Sequence, residues 1–255
     1  MKAYITLLST NEYLDGVLAL YQSLQDVGSQ YPLVVAVTNN IHPFAREIMN
    51  ELKIEMIELE EFSFTEDCKK RLRAFGAHHW VHTASKLQIF GLTQFEKLVF
   101  LDSDMLVLKN IDHLFECPHM TAAEDSPMLY TEDRESHCQL NSGLMVIEPS
   151  KEVEKSLKEL SFSNLLPDQD LVRLQYPNWR NEKNLHLPCT YNLFALYWEK
   201  YHKSGVNIGD IYVLHFIGKE KPFYKNMMKS PLKNYYDYFE KLYFSALSHI
   251  EEKLK

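Results

Sequence analysis

The chain has 255 residues, 45% of them hydrophobic and 24% charged, which is enough to bury the core of one globular domain. Its net charge is −8 and its basic residues form no cluster, so nucleic acid is excluded as an expected partner. No apolar run could cross a bilayer, and the four cysteines have neither zinc nor disulfide-framework spacing. We therefore expect a soluble, cytoplasmic protein without a transmembrane segment, although a luminal domain trimmed of its anchor would have the same composition.

The first half of the chain alternates strand-like and helix-like segments. Short apolar runs predict strands over residues 3–8, 33–37, 54–59 and 98–101. Apolar residues at helical spacing predict helices over residues 14–27, from Pro43 onward, and over 85–92. This β-α-β order implies right-handed crossovers and a mostly parallel sheet, so we predict a Rossmann-like nucleotide-binding half.

The second half is less regular. Residues 144–147 and 211–214 predict strands, and a helix is expected after Ser150. Residues 230–255 predict an amphipathic C-terminal helix that packs on the rest of the chain, with a homodimer contact or a membrane surface as alternatives. We expect one domain over residues 1–229, divided into a nucleotide-binding half (1–108) and an acceptor and sugar half (109–229).

Asp102-Ser103-Asp104 directly follows the predicted strand over residues 98–101. Ligands of open α/β sheets collect at the carboxyl ends of strands, and two Asp side chains are costly to desolvate there unless a cation shares their charge. Hard oxygen ligands suit Mg²⁺ or Mn²⁺, which also bind substrate phosphates. Such a triplet is common by chance, and a second one occurs at residues 168–170. The strand before the first triplet indicates an enzyme that uses a nucleoside diphosphate.

Three other segments carry candidate site residues, each with a structural alternative. Residues 141–143, Asn-Ser-Gly, precede a predicted strand and suit an ordinary turn equally well. Asp168 follows Pro167 before a predicted helix, where N-capping is the simpler interpretation of that residue alone. His215 ends an apolar run, with a Gly and two Lys within the next six residues that could meet a diphosphate. A lone His is more often structural.

In their order along the chain, these segments resemble glycosyltransferase family 8, the glycogenin-like and galactinol-synthase-like enzymes. The resemblance is carried by residues 6–13, 86–87, 100–108, 110–115, 122–125, 141–146, 168–170, 187–192 and 215–222. It implies an α/β GT-A type fold, with a Rossmann-like nucleotide-binding part, a mixed, mostly parallel central sheet and a C-terminal helical extension. Glycogenin-like enzymes carry a further Asp shortly before the position of Asp168, where this chain reads Leu165-Leu166-Pro167.

The resemblance also implies a role for each matching residue. Those implied for Mn²⁺, with Mg²⁺ as the alternative, are Asp102, Asp104 and His215. Those implied for binding a UDP-sugar are Leu8, Ser9, Thr10 and Tyr13 around the uridine, Ser103 at the ribose, Asn141 and Ser142 at the sugar, and Gly218 and Lys221 at the diphosphate. Those implied for catalysis are Lys86, Asp125, Asp168 and Gln169. Further candidates for base or ribose contacts are Arg71 and Arg73.

The implied activity is Mn²⁺-dependent transfer of a hexose, with retained anomeric configuration, from UDP-glucose or UDP-galactose to a hydroxyl of a carbohydrate, polyol or protein. The charges of these residues suit this activity, because a divalent cation and nearby lysines stabilise the negative charge of the leaving diphosphate. One alternative is a sugar-nucleotide-forming nucleotidyltransferase, although residues 6–13 lack the Gly-rich loop of such enzymes. Another is a non-catalytic UDP-sugar-binding protein. Tyr197 and Tyr201, near the position of the self-glucosylated tyrosine of glycogenin, are predicted to be packing residues.

Overall fold

The computed structural model describes residues 1–60, 70, 74, 84–125, 139–164, 166–218, 221–223 and 233–254, with side chains of the last helix described from residue 239. The strands of this part are β1 (Lys2–Leu8), β2 (Leu33–Val37), β3 (Glu55–Glu58), β4 (Lys97–Leu101), β5 (Met105–Val107), β6 (Ala122–Glu124), β7 (Leu140–Ile147), β8 (His186–Leu187), β9 (Leu193–Phe194) and β10 (Val213–His215). The α-helices are α1 (Leu14–Asp26), α2 (Pro43–Glu51), α3 (Lys151–Asn164), α4 (Asp168–Gln175), α5 (Trp198–Lys203) and α6 (Lys233–Lys253).

The central sheet has the order β3-β2-β1-β4-β7-β6-β8. Strands β1, β2, β3 and β4 pair in parallel, while β7 runs antiparallel to β4 and β6. All of β2 is buried, as expected for a strand that is covered on both faces. The predicted α/β architecture with a mixed, mostly parallel sheet is therefore confirmed.

Residues 141–143 are not a turn before a strand but part of strand β7, which begins at Leu140. In the pairing of β6 with β7, Ala122 lies opposite Met145 and Glu124 lies opposite Leu140, so β7 bulges between these two pairs. Within the bulge, the side chain of Asn141 accepts a hydrogen bond from the backbone N–H of Gly143 at 2.9 Å. The segment therefore forms a local side-chain-to-backbone hydrogen bond, as turns often do, but within a strand.

A second, three-stranded sheet has the order β5-β10-β9. The predicted strand before His215 is observed as β10, with His215 as its last residue. Because β10 runs antiparallel to β5, His215 pairs with Met105, immediately after Asp104. This sheet brings the second half of the chain back to the Asp pair. Of residues 85–92, predicted to be helical, all but Leu92 lie in a 3-10 helix over Ala84–Gly91.

The C-terminal helix α6 packs against α1 and contributes Tyr243 to an apolar cluster that includes Phe216. At the end of α6, Lys253 donates a hydrogen bond to the side chain of Gln22 at 2.7 Å. The packing expected of this helix is thus the arrangement observed, while Ser230, where the predicted helix begins, lies outside the described residues. No helix in the described part of the chain combines the length and apolar character needed to span a membrane.

Candidate active site

The neighbouring parallel strands β1 and β4 end at Leu8 and Leu101, on the same edge of the central sheet. Helix α1 approaches the Asp pair closely at this edge, because a Cβ atom on Gly16 would stand 2.3 Å from the backbone oxygen of Ser103. Glycine is therefore required for α1 to rest on this loop. The residues predicted to bind a nucleotide, after β1, therefore lie next to those predicted to bind a metal, after β4.

Asp102, Asp104 and His215 come together, with one ligand atom from each lying within 4.8 Å of the others. Nε2 of His215 lies 3.1 Å from Oδ1 of Asp104 and 3.9 Å from Oδ2 of Asp102. A Cβ atom on Gly143 would stand 3.0 Å from Cε1 of His215, so a larger residue would crowd this cluster. Two carboxylates and an imidazole are a donor set that fits Mn²⁺ or Mg²⁺.

Asn192 supports the cluster from behind, although the sequence assigned it no role. Its side-chain oxygen lies 2.8 Å from Nδ1 of His215, and the residue is 1% exposed. An amide oxygen there accepts the Nδ1–H proton, which leaves Nε2 as the ligand atom facing the carboxylates. The signal in the sequence was a polar residue inside the apolar run 191–195.

Lys86 is buried among oxygen atoms on one side of the cluster. Its Nζ atom lies 3.0 Å from Asp102, 3.2 Å from Asp168 and 3.2 Å from the hydroxyl of Ser142. Burial lowers the pKa of Lys86, but the charges of Asp102 and Asp168 outweigh burial and raise it overall. Lys86 is therefore an ammonium ion that holds the two carboxylates together.

Lys221 occupies the other side, where its Nζ atom pairs with Asp104 and donates to the backbone oxygen of Phe216. Burial raises the pKa of Asp104, but His215 and Lys221 outweigh it and hold that pKa below its usual range. For Asp102 the balance is reversed, because burial raises the pKa more than Lys86 lowers it. Three carboxylates, including Asp168, face the two lysines, and this excess of negative charge suits a divalent cation.

The start of helix α4 is tied to the bulge in β7. The backbone N–H of Ser142 donates to Oε1 of Gln169 at 3.0 Å, and its hydroxyl donates to Oδ2 of Asp168 at 3.1 Å. The N-cap position is Pro167, so the interpretation of Asp168 as a capping residue is wrong. Its carboxylate is held by Ser142 and Lys86 instead, facing Asp102.

Asp125 is held by Arg173, another residue that sequence reasoning missed. The guanidinium group lies 2.8 Å from Asp125 and 3.1 Å from Asp170, and Nε donates to the backbone oxygen of Leu140 at 2.9 Å. Arg173 thus joins helix α4, strand β7 and the end of β6. The signal was its spacing of three residues from Asp170 on a predicted helix.

The residues predicted to bind the nucleotide differ in which of their atoms are buried or hydrogen-bonded. The side chain of Leu8 lies in the core, so only its backbone can face a ligand. The backbone oxygen of Ser9 accepts a hydrogen bond from Asn40 at 2.9 Å, and that of Thr10 accepts one from the N–H of Tyr13 at 3.2 Å. The ring of Tyr13 packs on a second aromatic ring, described below.

Gly218 has φ of +88°, a conformation that glycine adopts readily and other residues rarely do. Tyr201 is fully buried, which agrees with the packing role predicted for it. Arg71, Arg73 and Lys219 lie outside the described residues.

Comparisons with known proteins agree with this geometry. The family described as glycosyl transferase family 8 matches residues 4–226. Glycogenin-1 of Caenorhabditis elegans is 28% identical over 97% of this chain, which spans 56% of that relative. Galactinol synthase 1 of Arabidopsis thaliana is 27% identical over 94% of this chain and 79% of its own length. A crystal structure of the galactosyltransferase LgtC, in complex with donor and acceptor sugar analogues, superposes with a TM-score of 0.62 at 13% identity over 96% of both chains. The predicted GT-A type fold is confirmed.

Proposed function

The chain belongs to glycosyl transferase family 8, as predicted, and we propose that it transfers a hexose from a UDP-sugar to a hydroxyl group of a carbohydrate, polyol or protein. The glycosyltransferase class itself follows from the family. The finer proposal names UDP-glucose or UDP-galactose as the donor and retention of anomeric configuration as the outcome, as the resemblance of the sequence implies.

The observation that carries the proposal is the cluster of Asp102, Asp104 and His215 between two buried lysines. We propose that these three residues hold Mn²⁺, with Mg²⁺ as the alternative. When bound there, the cation would neutralise charge that develops on the departing nucleoside diphosphate.

Lys221 is proposed to stabilise the same departing charge from the protein side. Its ammonium group is buried beside Asp104, where electrostatic interactions are stronger than in water. Gly218, at positive φ three residues earlier, would let the backbone approach the diphosphate. Tyr13 and the backbone of residues 8–10 would form the uridine wall, and Ser103 would face the ribose.

Asp168 is proposed to face the positive charge that develops at the anomeric carbon. Lys86 and Ser142 fix its carboxylate, so no reorganisation is needed when that charge forms. The roles proposed for Asn141, Gln169 and Asp125 are contacts to the donor sugar and the acceptor. The hydrogen bond of Gln169 to Ser142 supports this, because it ties the start of α4 to the bulge.

The two halves of residues 1–229 are proposed to form one catalytic unit, because Asp102 and Asp104 come from the first half and His215 from the second. A cytoplasmic location remains part of the proposal. It is supported by Cys117, whose thiol forms no disulfide within the described residues.

A donor screen with pooled acceptors, read by mass spectrometry, tests the proposal. The protein is incubated with Mn²⁺ and each of several nucleotide sugars, and the products are analysed. A transferred hexose and released UDP would support the proposal, whereas pyrophosphate would indicate a nucleotidyltransferase. UDP-sugar binding without any product, across all donors and acceptors, would favour the non-catalytic alternative.

A further inference from the structure

Tyr243, on the C-terminal helix α6, lies directly behind the candidate site. It is fully buried, while its neighbour Phe244 is 49% exposed. The ring of Tyr243 contacts the ring of Phe216 at 5.8 Å between centroids and 79° between planes. It also contacts the ring of Phe223 at 6.1 Å and 38°. Both separations are typical of attractive aromatic pairs.

Phe216 and Phe223 bracket the segment that carries Gly218 and Lys221. The backbone N–H of Phe216 donates to the backbone oxygen of Asp104 at 2.9 Å, and its own oxygen accepts from Nζ of Lys221. The ring of Tyr243 therefore packs on Phe216, the residue whose backbone contacts both Asp104 and Lys221.

Phe223 extends the contact to the nucleotide side. Its ring lies 5.2 Å from that of Tyr13 at 62° between planes. A Cβ atom on Gly16 would stand 3.2 Å from Cε1 of Phe223, so this ring also packs closely on α1. Phe223 thus lies between Tyr13 and Tyr243.

The ring of Tyr243, and not its hydroxyl, makes these contacts. Within the described residues the hydroxyl oxygen is buried and has no hydrogen-bond partner. Burial, together with the charges of Asp15 and Asp104, raises the pKa of Tyr243, so the phenol is neutral.

We infer that Tyr243 is a positioning residue for donor binding, which acts through Phe216 on Lys221 and through Phe223 on Tyr13. The inference rests on the proposed function, since it assigns UDP to this site. It gives helix α6 a part in donor affinity besides covering the core, because groups that contact a ligand must be held in the productive geometry by the side chains packed around them.

Calorimetric titration of UDP in the presence of Mn²⁺ tests the inference, with full-length variants at a temperature where thermal unfolding shows each to be folded. Tyr243→Ala should weaken UDP binding about tenfold or more. Tyr243→Phe keeps the ring and should bind like the wild type. Lys241→Ala removes an exposed side chain of the same helix and is the matched control. A folded Tyr243→Ala variant with wild-type affinity would overturn the inference.

Two further measurements cover the remaining outcomes. If Tyr243→Ala does not fold, Tyr243→Leu replaces it with a smaller loss of volume and the same expectation. If the wild type itself does not bind UDP, the proposed function fails. Amide hydrogen exchange of residues 213–218 then tests the positioning directly. Exchange should be faster in Tyr243→Ala than in Lys241→Ala, and equal rates would overturn the inference.

Discussion

The side-chain oxygen of Asn192 lies 2.8 Å from Nδ1 of His215, on the side of the ring away from the two carboxylates. This hydrogen bond sets which imidazole nitrogen faces Asp102 and Asp104. Metal-ligating histidines are commonly oriented by such a partner. Loss of the hydrogen bond from His215 to Asn192 should therefore lower metal affinity, which can be measured separately from catalysis.

Replacing Asn192 with Leu should lower Mn²⁺ affinity by about 10–100-fold, because the His215 ring loses the acceptor that orients it. Asn192→Asp retains an oxygen acceptor and should bind Mn²⁺ at least as tightly as Asn192→Leu does. Calorimetric titration with Mn²⁺ measures both. Equal affinities in the wild type and in a folded Asn192→Leu variant would show that the contact does not support metal binding.

Asp168→Asn should reduce kcat by about a hundredfold or more while leaving the donor dissociation constant little changed. The amide keeps the shape of the side chain and can still accept hydrogen bonds from Lys86 and Ser142, so the change removes mainly the negative charge. Steady-state kinetics and UDP-sugar titration separate the two effects. Glu116→Gln, at a carboxylate whose side chain is 76% exposed, is the control for loss of a charge elsewhere. Near-normal turnover of Asp168→Asn would leave this residue a structural role alone.

Asp112 gives the segment 110–115 a structural role. Its carboxylate accepts hydrogen bonds from Tyr4 at 2.7 Å, Ser29 at 2.7 Å, the N–H of Gln30 at 2.9 Å and Asn110 at 3.2 Å. Burial raises the pKa of Asp112, but these hydrogen bonds outweigh it and lower the pKa below its ordinary value. The segment therefore ties the loop after α1 to strand β1.

A folded-state pKa below the unfolded one means that Asp112 stabilises the protein above the unfolded pKa and stops doing so as pH falls through the folded one. At pH 7, Asp112→Ala should lower the free energy of unfolding by about 1.5–3 kcal/mol. The difference from the wild type should shrink as pH falls below about 4. Urea unfolding across this pH range measures both. A difference that stays constant with pH would mean that the charge of Asp112 contributes nothing.

The alternation of strands and helices in the first half, and the Asp pair at the end of a strand, could be predicted from the sequence itself, whereas His215 joined them through the resemblance to glycosyltransferase family 8. Asp102 and Asp104 follow an apolar strand, and His215 ends another. Contacts between distant side chains could not be predicted in the same way. Arg173 reaches Asp125 across 48 residues, and such a contact depends on how helix α4 packs on the sheet.

The bulge at residues 141–143 shows a second limit. Asn, Ser and Gly favour turns when considered alone, because their side chains and backbone suit irregular conformations. Burial, and the pairing of the flanking residues of β7 with β4 and β6, place them in a strand instead. Tertiary packing decided the conformation, and the turn chemistry survives as the contact between Asn141 and Gly143.

Two substitutions of Asp104 differ in their expected effect on folding. Asp104→Ala would leave Lys221 buried without its partner, and breaking a buried pair in this way typically costs about 3–5 kcal/mol of stability. Asp104→Asn keeps the volume and an oxygen acceptor. It is therefore the better variant for separating metal binding from folding.

The metal site is tested by measuring hexose transfer by mass spectrometry before chelation, after chelation and after Mn²⁺ is restored, in the wild type and in Asp104→Asn. Glu116→Gln serves as the control variant. Chelation should abolish transfer by the wild type and the control, and Mn²⁺ should restore it. Asp104→Asn should remain inactive while folded. Transfer that survives both chelation and Asp104→Asn would contradict the assignment of Asp102, Asp104 and His215 as the metal site.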